Sequence, residues 1–185
     1  MTKEKLLVVF SKAFCKFIKK DADLFEASKT VQERAFLFRF ACYLKDYLED
    51  GGTRVTCGVD GAKLKLDVEY NRDGDKVKQI DNGSDWMAPD IVFHERHSGA
   101  LEGENQYRND IFCCEAKKNG NPDGEDAKRV KELIKKMKYE FGIDFYRFAR
   151  KEAEFNLYTK SGTRERYKFD GKNFVVQDHG EWEND

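Results

Sequence analysis

Apolar residues recur at helical spacing in three stretches of this chain. The first stripe predicts a helix over residues 3–20, and the second, which is the clearest, predicts a helix over residues 31–49 with Thr30 as its N-cap. The third predicts a helix over about 125–138, with a buried stripe opposite a strongly charged face. Each helix therefore has one side for packing and one side for solvent.

Other stretches show the patterns of strands. Alternation of apolar and polar residues over 63–72 predicts a half-buried strand. Further strands are predicted at about 90–96, 110–118, 142–150 and 155–159, with a last hairpin that pairs 164–169 with 174–177. The polar stretch leading to Asp85 is interpreted as a loop or an irregular edge, and the acidic tail from His179 as frayed.

Length and composition indicate one folded unit. The 185 residues suffice for a single domain with one sizeable core. Hydrophobic residues make up only 39 % of the chain and charged residues 37 %, but fifteen Phe and eight Tyr supply large apolar surfaces. Disorder over most of the chain is therefore not expected. The order of elements predicts one α/β domain over 1–185, with a central mixed sheet flanked by helices.

Charge and cysteine content narrow the classes of protein. The net charge is -1, so the chain lacks the strongly basic surface of many nucleic-acid binders, although a local basic patch remains open. Its five cysteines are an odd number without the spacing of a disulfide or zinc framework, which favours reduced, buried thiols. With no secretory signal and no apolar stretch of membrane-spanning length, we expect a cytoplasmic protein without a membrane partner.

The candidate chemistry lies at the ends of two predicted central strands. Asp90 follows Pro89, which suits the first position of a strand because it donates no ladder hydrogen bond. The nearly continuous apolar run before Glu115 ends abruptly in charge, as a strand covered on both faces would end. Glu115 and Lys117, two residues apart, point to the same face. We therefore expect the two strands to be neighbours and Asp90, Glu115 and Lys117 to cluster at one end of the sheet.

Two carboxylates from neighbouring strands form a hard-oxygen site of the kind that Mg²⁺ prefers. Asp90 and Glu115 are the predicted metal ligands, and the backbone carbonyl of Ala116 is a further candidate. Lys117 is expected to position a nucleophilic water and to stabilise developing negative charge. Because Asp90 and Glu115 repel each other in the absence of a cation, at least one of their pKa values should be raised.

These residues carry a resemblance to a known family. Pro89-Asp90 and Glu115-Ala116-Lys117 resemble the two motifs of the PD-(D/E)XK nuclease superfamily, whose restriction-endonuclease-like core has the order α-β-β-β-α-β. The predicted elements follow that order over a core of about 30–150, with an extra N-terminal helix and a C-terminal extension of antiparallel strands over 151–178. Three segments are also similar to a group of uncharacterised bacterial and phage-like members: Tyr70-Asn71-Arg72, Pro89-Asp90-Ile91-Val92 and Glu115-Ala116-Lys117-Lys118.

The resemblance implies a metal-dependent nuclease that hydrolyses phosphodiester bonds in nucleic acid, with DNA as the expected substrate. Mg²⁺ is the implied cofactor and Mn²⁺ a substitute, with Asp90, Glu115 and Lys117 as the catalytic residues. Dimers are common among enzymes that cut both strands of a duplex, so a homodimer is one expected state. The alternative is a catalytically inactive module of the same fold that binds nucleic acid or a protein. The near-neutral charge favours that module, and the complete acid-acid-lysine set favours the enzyme.

Glu33 has two interpretations. Members of the superfamily often carry a carboxylate on the helix before the strands, and Glu33 is the matching candidate for an assisting catalytic role. Thr30-Val31-Gln32-Glu33 is also a capping box, in which the Glu33 side chain reaches back to a backbone N–H. Both interpretations stay open at the level of the sequence.

Basic residues near the site could contact phosphate groups. The candidates are Lys118, Lys128, Arg129, Lys135 and Arg72. For those in the third helix, the solvated face of an amphipathic helix is the more common role. Asp126 either interacts with the N-terminal dipole of that helix or lies near the metal. His94 is interpreted as a structural or exposed residue.

Overall fold

The computed structural model describes residues 1–26, 33–50, 64–69, 88–95, 110–118, 120–148 and 152–182, together with four two-residue strands within 72–86. The helices are α1 (Lys3–Lys20), α2 (Ala22–Glu26), α3 (Glu33–Lys45), a π-helical turn (Asp46–Asp50) and α4 (Glu125–Met137). The longer strands are β1 (Leu64–Val68), β6 (Ile91–Glu95), β7 (Phe112–Ala116), β8 (Phe141–Arg147), β9 (Glu154–Thr159), β10 (Thr163–Phe169) and β11 (Phe174–Glu181). The short ones are β2 (Arg72–Asp73), β3 (Lys76–Val77), β4 (Gln79–Ile80) and β5 (Asp85–Trp86).

Seven strands form one mixed sheet in the order β1-β6-β7-β8-β9-β10-β11. Each neighbouring pair is antiparallel except β7 and β8, which are parallel and are connected through α4. Two separate two-stranded sheets pair β2 with β3 and β4 with β5. The predicted α/β class with a central mixed sheet is therefore confirmed.

Helices cover both faces of the sheet. On one face, α1 and α3 enclose a core rich in phenylalanine, in which the ring centroid of Phe14 lies 4.9 Å from that of Phe169 and 5.5 Å from that of Phe174. On the other face, α4 packs its apolar stripe against the sheet. The neighbours Cys113 and Cys114 fall into opposite cores, as the alternation of side chains along β7 requires.

The predicted second helix begins outside the described residues, so its N-cap Thr30 is not placed. It is α-helical up to Lys45 and then widens into the π-helical turn. Helix α2 was not predicted from the sequence. The strand predicted over 63–72 ends at Val68, because Glu69 takes a left-handed backbone conformation with φ of 50°. The stretch up to Asp85, predicted as a loop or an irregular edge, contains the short strands β2 to β5, which pair in two small sheets separate from the main one.

The prediction of a frayed tail is wrong for residues 179–182. β11 pairs with β10 as far as Glu181, and the ring of Trp182 is buried in the core beneath α4. The Trp182 Nε1–H donates to the carbonyl oxygen of Thr159 at 3.0 Å. A single large ring within an acidic segment thus anchors the end of the strand, because burying it removes much apolar surface from water.

Within the described residues, no helix is both long enough and apolar enough to cross a membrane.

Candidate active site

The register of the sheet places the two predicted carboxylates side by side. In the antiparallel pair of β6 and β7, Ile91 lies opposite Cys114, so the next step of the same register sets Asp90 opposite Glu115. Residues opposite each other in a ladder project from the same face. The predicted neighbouring strands are confirmed, and both acidic residues lie at the end of β7 that leads to Lys117.

The Asp90 carboxylate is fixed by a hydrogen bond across the strands. Its Oδ2 accepts the backbone N–H of Ala116 at 2.8 Å, which ties the start of β6 to the end of β7. Burial raises the pKa of Asp90 to about 6, although the Ala116 N–H opposes that rise. The nearby negative charges of Glu33, Asp126 and Glu69 raise it further. Asp90 therefore titrates just below neutral pH, where a bound cation would favour its charged form.

Glu115 is the more deeply buried of the pair. Its exposed fraction is 5 %, and its Oε1 has no hydrogen-bond partner among the described residues. Burial raises the pKa of Glu115 to about 9, the charge of Asp90 adds to the rise, and the cationic groups of Arg129 and Lys117 oppose it. The expectation of a raised carboxyl pKa is met by both residues, with burial as the larger cause. A buried carboxylate oxygen without a donor is costly unless a ligand satisfies it.

Lys117 is held at the end of β7 by an acidic residue of α4. Its Nζ lies 2.8 Å from Oδ2 of Asp126, in the first turn of the helix. That hydrogen bond is the main reason why the pKa of Lys117 is raised, so the ammonium stays charged. Asp126 also adds negative charge around Asp90 and Glu115. Asp126 thus lies both in the first turn of α4, as its interaction with the helix dipole requires, and beside the residues of the site.

Glu33 reaches the same end of the sheet from the start of α3. Its Oε2 accepts the backbone N–H of Lys118 at 2.8 Å, although the residue itself is exposed. Its negative charge raises the pKa values of both Asp90 and Lys117, which places it within electrostatic range of the site. The capping-box interpretation involves Thr30, which lies outside the described residues.

Asp144 and Asn156 extend the polar row beyond the predicted residues. Asp144 lies opposite Glu115 in the parallel pair, and Asn156 lies opposite Asp144 on β9. The row faces α4, because Cys113, two residues before Glu115, packs in the core beneath that helix. Burial raises the pKa of Asp144 to about 8, and a hydrogen bond from Asn156 Nδ2 at 3.4 Å partly opposes the rise.

One feature of the sequence singles out Asp144. It is the only charged residue within the run from Phe141 to Tyr146, which otherwise reads as a covered strand. Burial of a carboxylate in such a strand is energetically costly, so its presence points to a specific role. Its position beside Glu115, however, follows from the parallel pairing of β7 with β8, which alternation along a single strand does not reveal.

The site fits an ion that keeps part of its water shell. Among the described residues, no group of three or more His, Cys, Asp or Glu side chains is arranged to hold a metal ion. A Mg²⁺ ion is commonly bound through one or two carboxylates, waters and substrate phosphates, without a closed protein cage. Adjacent Asp90 and Glu115, with an unsatisfied Oε1 on the latter, suit that mode.

Most of the predicted basic residues already have local partners. Lys118 Nζ lies 4.9 Å from the ring centroid of Phe36, Lys128 Nζ lies 2.8 Å from Glu125 Oε1, and Lys135 Nζ lies 5.6 Å from a ring centroid of Trp182. Arg129 is exposed and near enough to Glu115 to lower the pKa of that carboxyl. The side chain of Arg72 lies outside the described part of the structure.

His94 has a structural environment. It is 3 % exposed, and its Nε2 lies 3.1 Å from Oδ2 of Asp67 on the neighbouring strand β1. The interpretation of His94 as a structural residue agrees with this pairing, which ties the edge strand to β6.

Comparison of the chain with protein-family models, curated proteins and solved structures gives no match. The function is therefore inferred from the residues of the site.

Proposed function

We propose that this protein is a Mg²⁺-dependent nuclease of the PD-(D/E)XK type, which hydrolyses phosphodiester bonds in nucleic acid, with DNA as the first candidate substrate. The observation that carries the proposal is the register of β6 and β7, which sets Asp90 beside Glu115 with Lys117 two residues further on. The order α3, β1, β6, β7, α4, β8 supports a restriction-endonuclease-like core, once the four short strands are set aside.

Asp90, Glu115 and the carbonyl oxygen of Ala116 are the groups that would hold the cation. When bound, Mg²⁺ neutralises charge on the scissile phosphate and lowers the pKa of a coordinated water. The hydrogen bond from the Ala116 N–H fixes one oxygen of Asp90, which leaves its other oxygen for a ligand. The buried Oε1 of Glu115 supplies a second acceptor beside it.

Lys117 supplies the charge that separates catalysis from simple cation binding. Its ammonium orients the attacking water and stabilises the negative charge that grows on the phosphoryl oxygens in the transition state. Asp126 keeps Nζ charged and near the end of β7. Glu33 holds the Lys118 N–H and so fixes the backbone that carries Lys117.

An inactive module that binds nucleic acid or a protein is the second candidate, and one observation favours it. With a pKa of about 9, Glu115 is neutral at pH 7 in the absence of a cation, and a neutral carboxyl is a weak metal ligand. The two candidates therefore differ in whether a divalent cation can bind and ionise Glu115.

A cleavage panel separates these candidates. Single- and double-stranded DNA and RNA are incubated with the wild type and with Glu115→Ala, Lys117→Ala and the exposed control Lys160→Ala, in Mg²⁺ or Mn²⁺. We expect Lys117→Ala to lower kcat by on the order of 10²-fold or more while cation binding persists, because lysine is no ligand for Mg²⁺. Asp90→Asn should instead lose cation affinity, and excess cation should partly restore its activity.

The control Lys160→Ala should cleave as the wild type does. Cleavage that survives both Glu115→Ala and Lys117→Ala would place the active site elsewhere. Binding without cleavage in every protein of the panel would establish the inactive module.

A further inference from the structure

A basic groove of about 490 Å³ lies along the solvent side of α1. Among the described residues, its lining includes no acidic side chain and five lysines: Lys12, Lys16, Lys19 and Lys20 of α1, and Lys172 of the turn between β10 and β11. Tyr47 of the π-helical turn forms part of one wall. None of these residues belongs to the candidate active site.

The amphipathic pattern of α1 creates this groove. The helix buries Phe10, Phe14 and Phe17 against the sheet, which leaves its lysines on the opposite side. The turn carrying Lys172 is tied to the helix, because the Cys15 thiol lies 3.1 Å from the Lys172 carbonyl oxygen. Helix α1 and the turn carrying Lys172, which both line the groove, are thus held together.

Carboxylates offset the charge of two of the five lysines, Lys16 and Lys172. Lys16 pairs with Asp46 at 2.6 Å, whereas Lys12, Lys19 and Lys20 form no ion pair with any described residue. Asp170, the nearest acid to Lys172 in sequence, accepts the N–H groups of Lys172 and Asn173 at its Oδ1, each at 2.8 Å, and its carboxylate also interacts with the charge of Lys172. A concave surface lined by one sign of charge attracts a polyanion.

We propose that the groove binds the phosphate backbone of a nucleic-acid strand. Lys12 and Lys19 are seven residues apart, which is about 10 Å along a helix, the rise of about three nucleotides along one strand of a duplex. Tyr47, whose ring packs partly against the core with Lys16 Nζ 5.7 Å from its centroid, is the aromatic residue of the lining on whose exposed part a base can stack. The choice of nucleic acid as the polyanion rests on the proposed function, and the groove would hold strand outside the catalytic residues.

Two other anionic partners suit the groove less well. An anionic membrane is a broad surface, and proteins that lie on it insert several large apolar side chains beside their lysines. Here Val8 is the exposed large aliphatic residue of the lining, and the surface is concave. An acidic peptide would need separate apolar pockets to anchor its side chains, whereas five of the ten described residues that line this groove are lysines.

Binding is measured by fluorescence anisotropy with a labelled oligothymidylate in EDTA, where no cleavage occurs. The groove variant carries Lys12→Gln, Lys19→Gln and Lys20→Gln, and the matched control carries Lys138→Gln, Lys160→Gln and Lys168→Gln, three exposed lysines outside the groove. We expect the groove variant to bind at least tenfold more weakly. Its plot of log K against log salt should be shallower by about 2, from three lost phosphate contacts at 0.7 each. The control should match the wild type.

Equal loss in both variants, or in neither, would overturn the proposal, as would binding of anionic phosphatidylserine vesicles in place of the oligonucleotide. Because the titration contains no divalent cation, its outcome does not depend on cleavage. A groove that binds strand in a protein without nuclease activity would refute the proposed enzyme and leave the groove intact. Thermal unfolding of both triple variants establishes that each is folded.

Discussion

At the scale of single residues, the site concentrates carboxyl groups that the fold keeps from water. The pKa values of Asp90, Glu115 and Asp144 are raised to about 6, 9 and 8, and burial is the largest cause in each. Such groups reduce stability when they ionise, and perturbed carboxyls of this kind concentrate at functional sites. These three carboxyl groups therefore fit a role in binding a ligand better than a role in stabilising the fold.

The pH dependence of stability tests this account at Asp144. Its folded pKa of about 8 exceeds its unfolded value near 4, so between those pH values only the folded state holds the proton. This group favours folding below pH 4 to 5, and its contribution falls by about 1.4 kcal/mol per pH unit until pH 8. Asp144→Asn should therefore match the wild type near pH 5 and exceed its stability at pH 8.

The measurement is urea unfolding of the wild type and Asp144→Asn from pH 5 to pH 8. Asp178→Asn is the control, because the pKa of this half-exposed carboxyl is lowered by its hydrogen bond from Arg164. Its difference from the wild type should be small and of opposite sign at high pH. A constant difference between Asp144→Asn and the wild type across the range would contradict the raised pKa.

At the scale of elements, the position of α4 depends on a close approach to β8. A Cβ atom at Gly142 would lie 2.4 Å from Cγ1 of Val130 and 2.7 Å from Cδ1 of Ile134. Because Gly142 has no side chain, α4 can pack close to the sheet. That placement sets Asp126 within reach of Lys117.

Gly142→Ala should push α4 away from the sheet and lower the free energy of unfolding by about 1–3 kcal/mol, the usual cost of overpacking. Gly180→Ala is the matched control, because its added Cβ meets the flexible end of Arg164 at 3.3 Å, and its effect should stay within about 0.5 kcal/mol. Urea denaturation measures both. Equal stability of Gly142→Ala and the wild type would show that the helix adapts without cost.

The sequence predicts where the helices and strands lie better than which of them pair or pack with one another. Periodicity places α1, α4 and most longer strands, and alternation alone sets Glu115 and Lys117 on one face, because these are local properties. The proximity of Asp144 to Glu115 and of Asp126 to Lys117 depends on which strand pairs with β7 and where α4 lies. Those choices depend on residues far apart in the chain, which no short pattern encodes.

Trp182 shows the same limit at the end of the chain. Its neighbours are acidic and typical of a frayed tail, so local composition outweighs the single ring. The ring is nevertheless buried beside Tyr158 under α4, with centroids 6.0 Å apart. A cavity that accepts the ring exists only after the sheet and helix have assembled.

At the scale of the whole molecule, phenylalanines pack the sheet against helices that lie far from its strands in the sequence. Phe14 lies between α3 and the strands, with ring centroids 6.0 Å from Phe40, 5.9 Å from Phe145 and 4.9 Å from Phe169. With a hydrophobic content of 39 %, the chain relies on such large rings for buried area.

Phe14→Ala should therefore lower the free energy of unfolding by about 3–5 kcal/mol, and Phe14→Leu by less, because the cost rises with the volume of the cavity that the substitution leaves. Phe38→Ala offers a control on the same helix layer, since Phe38 is 58 % exposed, and should change stability by about 0.5 kcal/mol or less. Chemical denaturation compares the three. Similar losses for Phe14→Ala and Phe38→Ala would show that burial of Phe14 does not govern stability.

The crowding of rings around Phe14 also gives the folded protein a spectroscopic signature. Aromatic ring currents shift the resonances of nearby methyl protons, and Leu6, Leu37 and Leu44 belong to the same buried cluster as these rings. The one-dimensional proton spectrum should therefore show resolved methyl signals at unusually high field, together with a structured near-ultraviolet circular dichroism band. A collapsed chain without fixed packing loses both signals while keeping its helical content. These two spectra can thus distinguish a variant that is folded but inactive from one that has lost the packing of its core.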